Sequence, residues 1–89
     1  MDMVTQTFHI NTNEGFHLRP ASNLSTLALR YQSEITFGVR GNRANAKSVL
    51  SILAGMVKQG EEVTFWCEGP DEEEAMKAIA ELVANDMEL

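Results

Sequence analysis

The side chains best suited to chemistry lie in one short stretch, residues 15–21, which reads GFHLRPA. His17 carries an imidazole, a side chain that can act as a nucleophile. Pro20 is typical of the first turn of a helix, where unpaired N–H groups and the helix dipole attract anions. Arg19 adds a guanidinium that is well shaped to hold phosphate oxygens. The stretch therefore points to a covalent phosphohistidine site.

Other interpretations of the reactive side chains stay open at this stage. A single histidine near a helix start can cap the helix or merely be exposed, and spacing alone favours this for His17. His9, His17 and Cys67 lack the spacing of metal ligands, so we expect no metal site. We expect Cys67 in the core and His9 in solvent. Trp66 falls on the outer face of its strand, against the first strand or, alternatively, against a partner.

Hydropathy patterns predict the elements that must position this stretch. Val4–Ile10 alternates between apolar and polar residues, as a half-buried strand does. The polar segment Asn11–Gly15 predicts a loop, and apolar residues at helical spacing predict a helix over Leu18–Arg30. Residues 35–39 alternate again. Gly38, Gly41 and Asn42 supply turn residues around Arg40, and Arg43–Ala46 predicts a weaker third strand.

The second half of the chain predicts two more helices and one strand. Ser48 is placed as the N-cap of a short helix over Val49–Leu53, and Val63–Cys67 predicts a fourth strand. Asp71 opens the last helix, with Glu74 three residues later as in a capping box. The order β-α-β-β-α-β-α predicts an α+β, two-layer sandwich with an antiparallel or mixed sheet.

Length and charge narrow the class of protein. The 89 residues suffice for one domain, and one cysteine permits no internal disulfide. The net charge of −6 argues against nucleic acid and anionic membranes as partners. Residues 1–57 carry five basic and three acidic side chains, whereas residues 58–89 carry two basic and ten acidic side chains. An anion therefore fits best in the first segment. With no apolar span and no signal peptide, we expect a cytoplasmic protein.

Two motifs together resemble one family. Residues 15–21 look like the active-site signature of HPr, the histidine-containing phosphocarrier family of the bacterial phosphoenolpyruvate:sugar phosphotransferase system. Residues 45–51, NAKSVLS, resemble that family's regulatory-serine segment, and the separation of the two motifs also fits. The resemblance covers residues 1–89 as a single HPr-like domain. It implies an open-faced sandwich with a four-stranded antiparallel sheet, order 1-4-2-3, and three helices on one face.

The resemblance also implies a role for each motif residue. His17 matches the histidine that accepts a phosphoryl group on Nδ1 from enzyme I and donates it to EIIA domains of sugar permeases. Arg19 matches the arginine that stabilises this group. Ser48 matches the serine that HPr kinase/phosphorylase modifies in many Gram-positive bacteria, and a phosphate there lies favourably at a helix N-terminus. Such a protein is a stoichiometric carrier, needs no cofactor and is expected to be a monomer.

Six residues beside the two motifs are expected to dock partners: Leu18, Pro20, Lys47, Val49, Leu50 and Leu53. Those on the short helix could instead be plain core residues, but so short a helix cannot bury all of them. The partners implied are enzyme I, EIIA domains, HPr kinase/phosphorylase and a catabolite-control transcription factor.

Two positions depart from the family pattern. Leu18 stands where a small residue or Thr is usual, and Glu14 stands where Ser or Asn is common. A bulkier residue at position 18 can alter partner fit, and a carboxylate at position 14 either points away from the phosphoryl group or eases its release.

Two alternative functions remain. The first is a regulatory binding module that acts through Ser48 and the adjacent apolar patch, although such a switch does not need His17. The second is a hydrolase using His17, and the sequence offers no nucleophile–base–acid set for it.

Overall fold

The computed structural model describes residues 3–89 and contains a four-stranded sheet and three helices. The strands are β1 (Val4–His9), β2 (Glu34–Val39), β3 (Asn42–Asn45) and β4 (Glu62–Glu68), and the helices are α1 (Leu18–Ala28), α2 (Val49–Gly55) and α3 (Glu72–Ala84). Neighbouring strands are antiparallel and follow the order β1-β4-β2-β3. The predicted element order, the antiparallel sheet, its strand order and the open-faced sandwich are confirmed. Within residues 3–89, no helix is both long enough and apolar enough to cross a membrane.

Strict alternation in the two central strands builds the core. Every second residue of β2 and β4 is buried beneath the helices, and the residues between them form the open face. The buried set is Ile35, Phe37, Val39, Val63, Phe65 and Cys67. Phe37 lies at the centre, with its ring 5.6 Å from the rings of both Phe16 and Phe65. The faces assigned from the sequence are therefore confirmed, including the burial of Cys67 and the exposure of His9.

The open face of the sheet holds Trp66 in a local contact. Trp66 pairs with Thr5 of β1 and Thr36 of β2, so the expected contact with the first strand is confirmed. Arg43 stacks over the indole at 3.9 Å from the ring centroid. The edge of the ring lies on Gly38, where a Cβ would come within 2.8 Å of it. A glycine at this position lets the indole lie against the sheet.

The structure shifts several predicted boundaries. β3 is Asn42–Asn45 and not Arg43–Ala46, because Arg40 and Gly41 alone form the turn, both at positive φ. Asn42 was expected in that turn and instead pairs with Val39. α1 ends at Ala28, two residues before the predicted end.

The capping box predicted for α3 is wrong. Asp71 is the N-cap residue, but its side chain makes no cap hydrogen bond. Its carboxylate instead accepts hydrogen bonds from the backbone N–H groups of Gln32 and Ser33, both at 2.9 Å, and from the Ser33 hydroxyl at 2.5 Å. Glu72, not Glu74, reaches back at the helix start and accepts from Gly69 N–H at 3.0 Å. The Asp71 carboxylate thus joins the start of α3 to the segment before β2.

The loop that leads to α1 rests on the connector between α2 and β4. Phe16 N–H donates to the Val57 carbonyl at 2.9 Å, and Gly60 N–H donates to the Ile10 carbonyl at 2.8 Å. Gly15 has φ +60°, and a Cβ there would lie 2.2 Å from the Val57 oxygen. Only glycine fits this position without moving the loop.

Replacing Gly15 by Ala should destabilise the protein. The left-handed backbone alone costs roughly 1–2 kcal/mol for a residue with a Cβ, and the clash with Val57 adds to it. Chemical denaturation should report a lower free energy of unfolding with an unchanged m-value. Gly41→Ala is the control, since Gly41 has positive φ but nothing within 4 Å of the added Cβ. An equal loss in both variants would exclude the contact with Val57 as a cause.

The Ser33–Asp71 contact should make stability depend on pH in acid. The hydrogen bond from the Ser33 hydroxyl is the main cause that lowers the pKa of Asp71. A carboxyl group whose pKa is lower in the folded state stabilises the fold above its unfolded pKa, and this contribution disappears as pH falls through the folded pKa. Asp71→Asn should therefore be less stable than wild type at about pH 6, and this difference in stability should disappear towards about pH 2. Thermal melts over this pH range measure the difference, and a difference that stays constant would contradict the prediction. Glu73→Gln, which removes an exposed carboxylate of α3, is the control.

Candidate functional site

His17 is placed at the surface by the burial of the residue before it. Phe16 is 1% exposed, whereas His17 is exposed as the N-cap residue of α1 with an extended backbone, φ −74° and ψ −171°. The His17 carbonyl accepts the first helical hydrogen bond from Ala21 N–H at 2.8 Å. The ring itself makes no cap hydrogen bond, so the interpretation of His17 as a capping side chain is wrong. The imidazole is therefore exposed to solvent.

The first turn of α1 offers donors to an anion. Pro20 has no N–H, and the N–H groups of Leu18 and Arg19 have no acceptor within the helix. The turn contains no acidic residue that would oppose an anion at the positive end of the helix dipole. The helix start therefore favours negative charge beside His17.

Arg19 is already paired with a carboxylate that the sequence analysis did not single out. Its guanidinium Nη2 lies 3.0 Å from Glu88 Oε1, and the two side chains are 72% and 49% exposed. Glu88 is held there because the neighbouring Met87 is buried and the Asn23 amide donates to the Met87 carbonyl at 2.9 Å. No local pattern connects residues 69 positions apart. One carboxylate of the acidic segment 58–89 thus lies beside Arg19.

An apolar groove of about 480 Å³ opens beside His17. It is lined by Phe16, His17, Leu18, Leu53, Met56, Val57 and Lys58. Leu18 and Met56 are 65% and 63% exposed, which is high for large apolar side chains. The site combines a nucleophile, a cation and an exposed apolar surface.

The residues expected to dock partners differ in accessibility. Leu50 is 79% exposed, so the expectation that the short helix leaves an apolar residue in solvent is confirmed. Val49 and Leu53 are half-buried against the core. Pro20 is buried, and the Lys47 ammonium donates to the Tyr31 carbonyl at 2.8 Å, so neither side chain is freely offered to a partner. Leu18 and Leu50 carry most of the free apolar surface of the set.

Ser48 takes the predicted position at the start of α2. Its hydroxyl oxygen accepts a hydrogen bond from Ser51 N–H at 3.2 Å, which is the N-cap contact read from the sequence. The hydroxyl of Ser51 in turn accepts from Asn45 N–H at 2.8 Å, which ties the helix start to β3.

Two other residues considered from the sequence are a buried thiol and an exposed carboxylate. Burial raises the pKa of the Cys67 thiol to about 11, with further contributions from Glu72 and Asp71, so the thiolate is disfavoured. Glu14 is exposed in the loop before His17.

Comparisons with known proteins agree with this geometry. Residues 4–85 match the family described as PTS HPr component phosphorylation site. Phosphocarrier protein HPr of Lysinibacillus sphaericus is 38% identical over 81 residues, which are 91% of this chain and 92% of that protein. The structure of HPr-C-His from Thermoanaerobacter tengcongensis has a TM-score of 0.89 at 36% identity, with both chains fully covered. Crh of Bacillus subtilis, a catabolite repression protein described as a dimer with a swapped domain, has a TM-score of 0.75 at 31% identity, with 93% and 95% covered. The chain therefore belongs to the HPr family of phosphocarrier proteins.

Proposed function

We propose that this protein is a monomeric phosphoryl carrier of the sugar phosphotransferase system in the cytoplasm. His17 accepts a phosphoryl group from phospho-enzyme I and passes it to EIIA domains. The observation that carries the proposal is the exposed imidazole of His17, which makes no cap hydrogen bond and stands at the N-terminus of α1. Family membership supports the same chemistry.

In the transfer, the lone pair of His17 Nδ1 attacks the phosphorus of phospho-enzyme I. The new N–P bond forms as the bond between phosphorus and the donor atom of enzyme I breaks, and the bonding electrons return to that donor atom. The same exchange then runs from His17 to the acceptor. The first-turn N–H groups of α1 and the Arg19 guanidinium hold the oxygens of the transferred group. The protein is returned unchanged after each relay and is a stoichiometric carrier, not a turnover enzyme.

The pair between Arg19 and Glu88 sets how firmly the phosphoryl group is held. Both side chains are about half exposed or more, and ion pairs of this kind contribute roughly 0–1 kcal/mol. A phosphoryl group carries more charge than one carboxylate and presents three acceptor oxygens, so it can displace Glu88 from Arg19. When the phosphoryl group leaves, Glu88 pairs with the guanidinium again, which favours release of the group.

The apolar groove and the exposed Leu18 and Leu50 provide the docking surface for enzyme I and EIIA domains. Large apolar side chains that stay in solvent favour a partner that covers them. His17 is one of the residues that line the groove, so a partner that fills the groove would desolvate the reacting nitrogen. Leu18, bulkier than the residue usual in the family, adjusts partner fit.

Regulation through Ser48 is a second, compatible role. A phosphate on Ser48 would lie at the start of α2, beside Leu50 of the docking surface, and add about two negative charges there. The partners proposed for this regulatory role are HPr kinase/phosphorylase and a catabolite-control transcription factor. The similarity to Crh favours a regulatory module as the alternative main function.

Labelling separates the carrier from the regulatory module. With phosphoenolpyruvate and enzyme I, the wild type should acquire an acid-labile, alkali-stable phosphoryl group, and His17→Ala should acquire none. His9→Ala is the matched control, since His9 is the other exposed histidine and should leave the label intact. Wild type that takes no label would refute the carrier function, and loss of label in His9→Ala would refute the assignment to His17.

Removing the Glu88 carboxylate should favour the phosphorylated state. Glu88→Gln should change the free energy of unfolding by less than about 1 kcal/mol and, because Arg19 is then free, shift the transfer equilibrium towards phospho-His17 by up to about fivefold. Arg19→Ala should shift it the other way. Glu81→Gln removes the same charge from an exposed site on α3 and is the control. An equal shift in Glu81→Gln would mean that overall charge, not the Arg19 pair, governs the equilibrium.

A further inference from the structure

The turn between β2 and β3 contains an arginine in a backbone conformation that arginine rarely adopts. Arg40 has φ 51° and is followed by Gly41 at φ 82°, so both central turn residues lie in the left-handed region. Asn, Asp and Gly are the residues that favour such a turn. A β-turn at this position would form more readily with one of those residues in place of the arginine.

The guanidinium of Arg40 reaches the end of α2. Nη2 donates to the Gly55 carbonyl at 2.6 Å and to the Met56 carbonyl at 3.3 Å. These are carbonyls at the C-terminus of the helix, where a cation interacts favourably with the helix dipole. Met56 is itself left-handed, with φ 51°, and closes the helix. Arg40 therefore binds the helix end where the chain turns into the next segment.

The same guanidinium also binds the far end of that segment. We call residues 56–61 the α2–β4 connector. Nη1 of Arg40 donates to Glu61 Oε2, and Glu61 Oε1 accepts from Lys58 N–H at 2.8 Å. The hydrogen bond from Arg40 is the main cause that lowers the pKa of Glu61, so the carboxylate stays ionised in this contact. Arg40 and Glu61 thus hold both ends of the α2–β4 connector.

The α2–β4 connector is the surface on which the loop before His17 rests. The Val57 carbonyl accepts from Phe16 N–H at 2.9 Å, and Ile10 exchanges hydrogen bonds with Gly60 and Glu61 at 2.8 and 2.9 Å. Residues 56–58 also form one wall of the apolar groove beside His17. A displacement of the connector would therefore move the anchor of His17 and the groove wall together.

We propose that Arg40 is a positioning residue for the phosphoryl site. It does not touch the phosphoryl group; it fixes the α2–β4 connector, so that Phe16 stays anchored and the groove keeps the shape that a partner must fit. Its effect on transfer rests on the proposed carrier function, whereas its effect on the connector does not.

Arg40→Asn is the informative variant. Asn tolerates the left-handed turn, so the change removes the guanidinium without straining the backbone. Amide hydrogen exchange at Phe16 and Lys58 should become about tenfold faster. The Ala75 amide, which bonds to Asp71 at the start of α3, is the internal reference and should keep its rate. Glu61→Gln should act in the same direction, and the double variant should add little to either single change.

Transfer kinetics supply the functional arm. In Arg40→Asn, the KM for phospho-enzyme I should rise by about three- to tenfold, with kcat within about twofold, because docking is disturbed and the reacting groups are not. Arg40→Lys keeps the charge and some donors and should recover part of the loss. Arg43→Gln removes a neighbouring arginine that stacks on Trp66 and donates its hydrogen bond to Thr36, so its KM should match wild type.

The outcomes decide the two proposals separately. Unchanged exchange at Phe16 and Lys58 in Arg40→Asn overturns the positioning role, as does an acceleration that includes Ala75 equally. An equal rise in KM for Arg43→Gln also overturns it, because loss of charge alone would then explain the effect. If wild type accepts no phosphoryl group, the carrier function fails, while the exchange rates still decide whether Arg40 holds the connector.

Discussion

The packing of Phe16 into the core is the contact on which the site depends. Its ring meets Phe37 edge to face at 5.6 Å, and its N–H is bound to the Val57 carbonyl. Burying a phenylalanine side chain contributes roughly 1.5–3 kcal/mol, so this residue holds its place firmly. The next residue then emerges at the surface in an extended conformation, where α1 begins. His17, the proposed phosphoryl acceptor, is thus positioned by a neighbour that has no part in the proposed chemistry.

Charge is arranged around this anchor in two ways. Glu61 and Arg40 form a partly covered pair that joins structural segments, with the side chains 23% and 44% exposed. Glu88 and Arg19 form a more open pair at the reacting group. Solvent weakens the open pair more, since screening grows with exposure. Both carboxylates belong to the acidic segment 58–89. Part of the net charge of −6 therefore comes from carboxylates that pair with basic side chains of the first segment.

Patterns within short stretches were enough to predict most of the fold. Period-two alternation identified the faces of β2 and β4, and Ser48 was recognised as an N-cap because that contact spans only three residues. The same local rule failed at Asp71, where hydrogen bonds from Gln32 and Ser33, nearly forty positions away, outcompeted the cap. The strand order came from resemblance to a family, and the same resemblance decided the role proposed for His17, since spacing alone favoured a capping or merely exposed histidine.

The parts of the site that the sequence did not reveal are long-range contacts of charged residues. Glu88 and Glu61 look like ordinary solvated carboxylates in their own segments, and Arg40 looks like a turn residue. Each acquires its role only when the chain brings it to a partner: 69 positions away for Glu88 and 21 for Glu61. A carrier needs a fixed nucleophile and a phosphoryl group that it can release. In the proposed carrier function, the buried Phe16 and the α2–β4 connector provide the first property, and the exposed, exchangeable Arg19 pair provides the second, so rigidity and lability are separated within a few residues of His17.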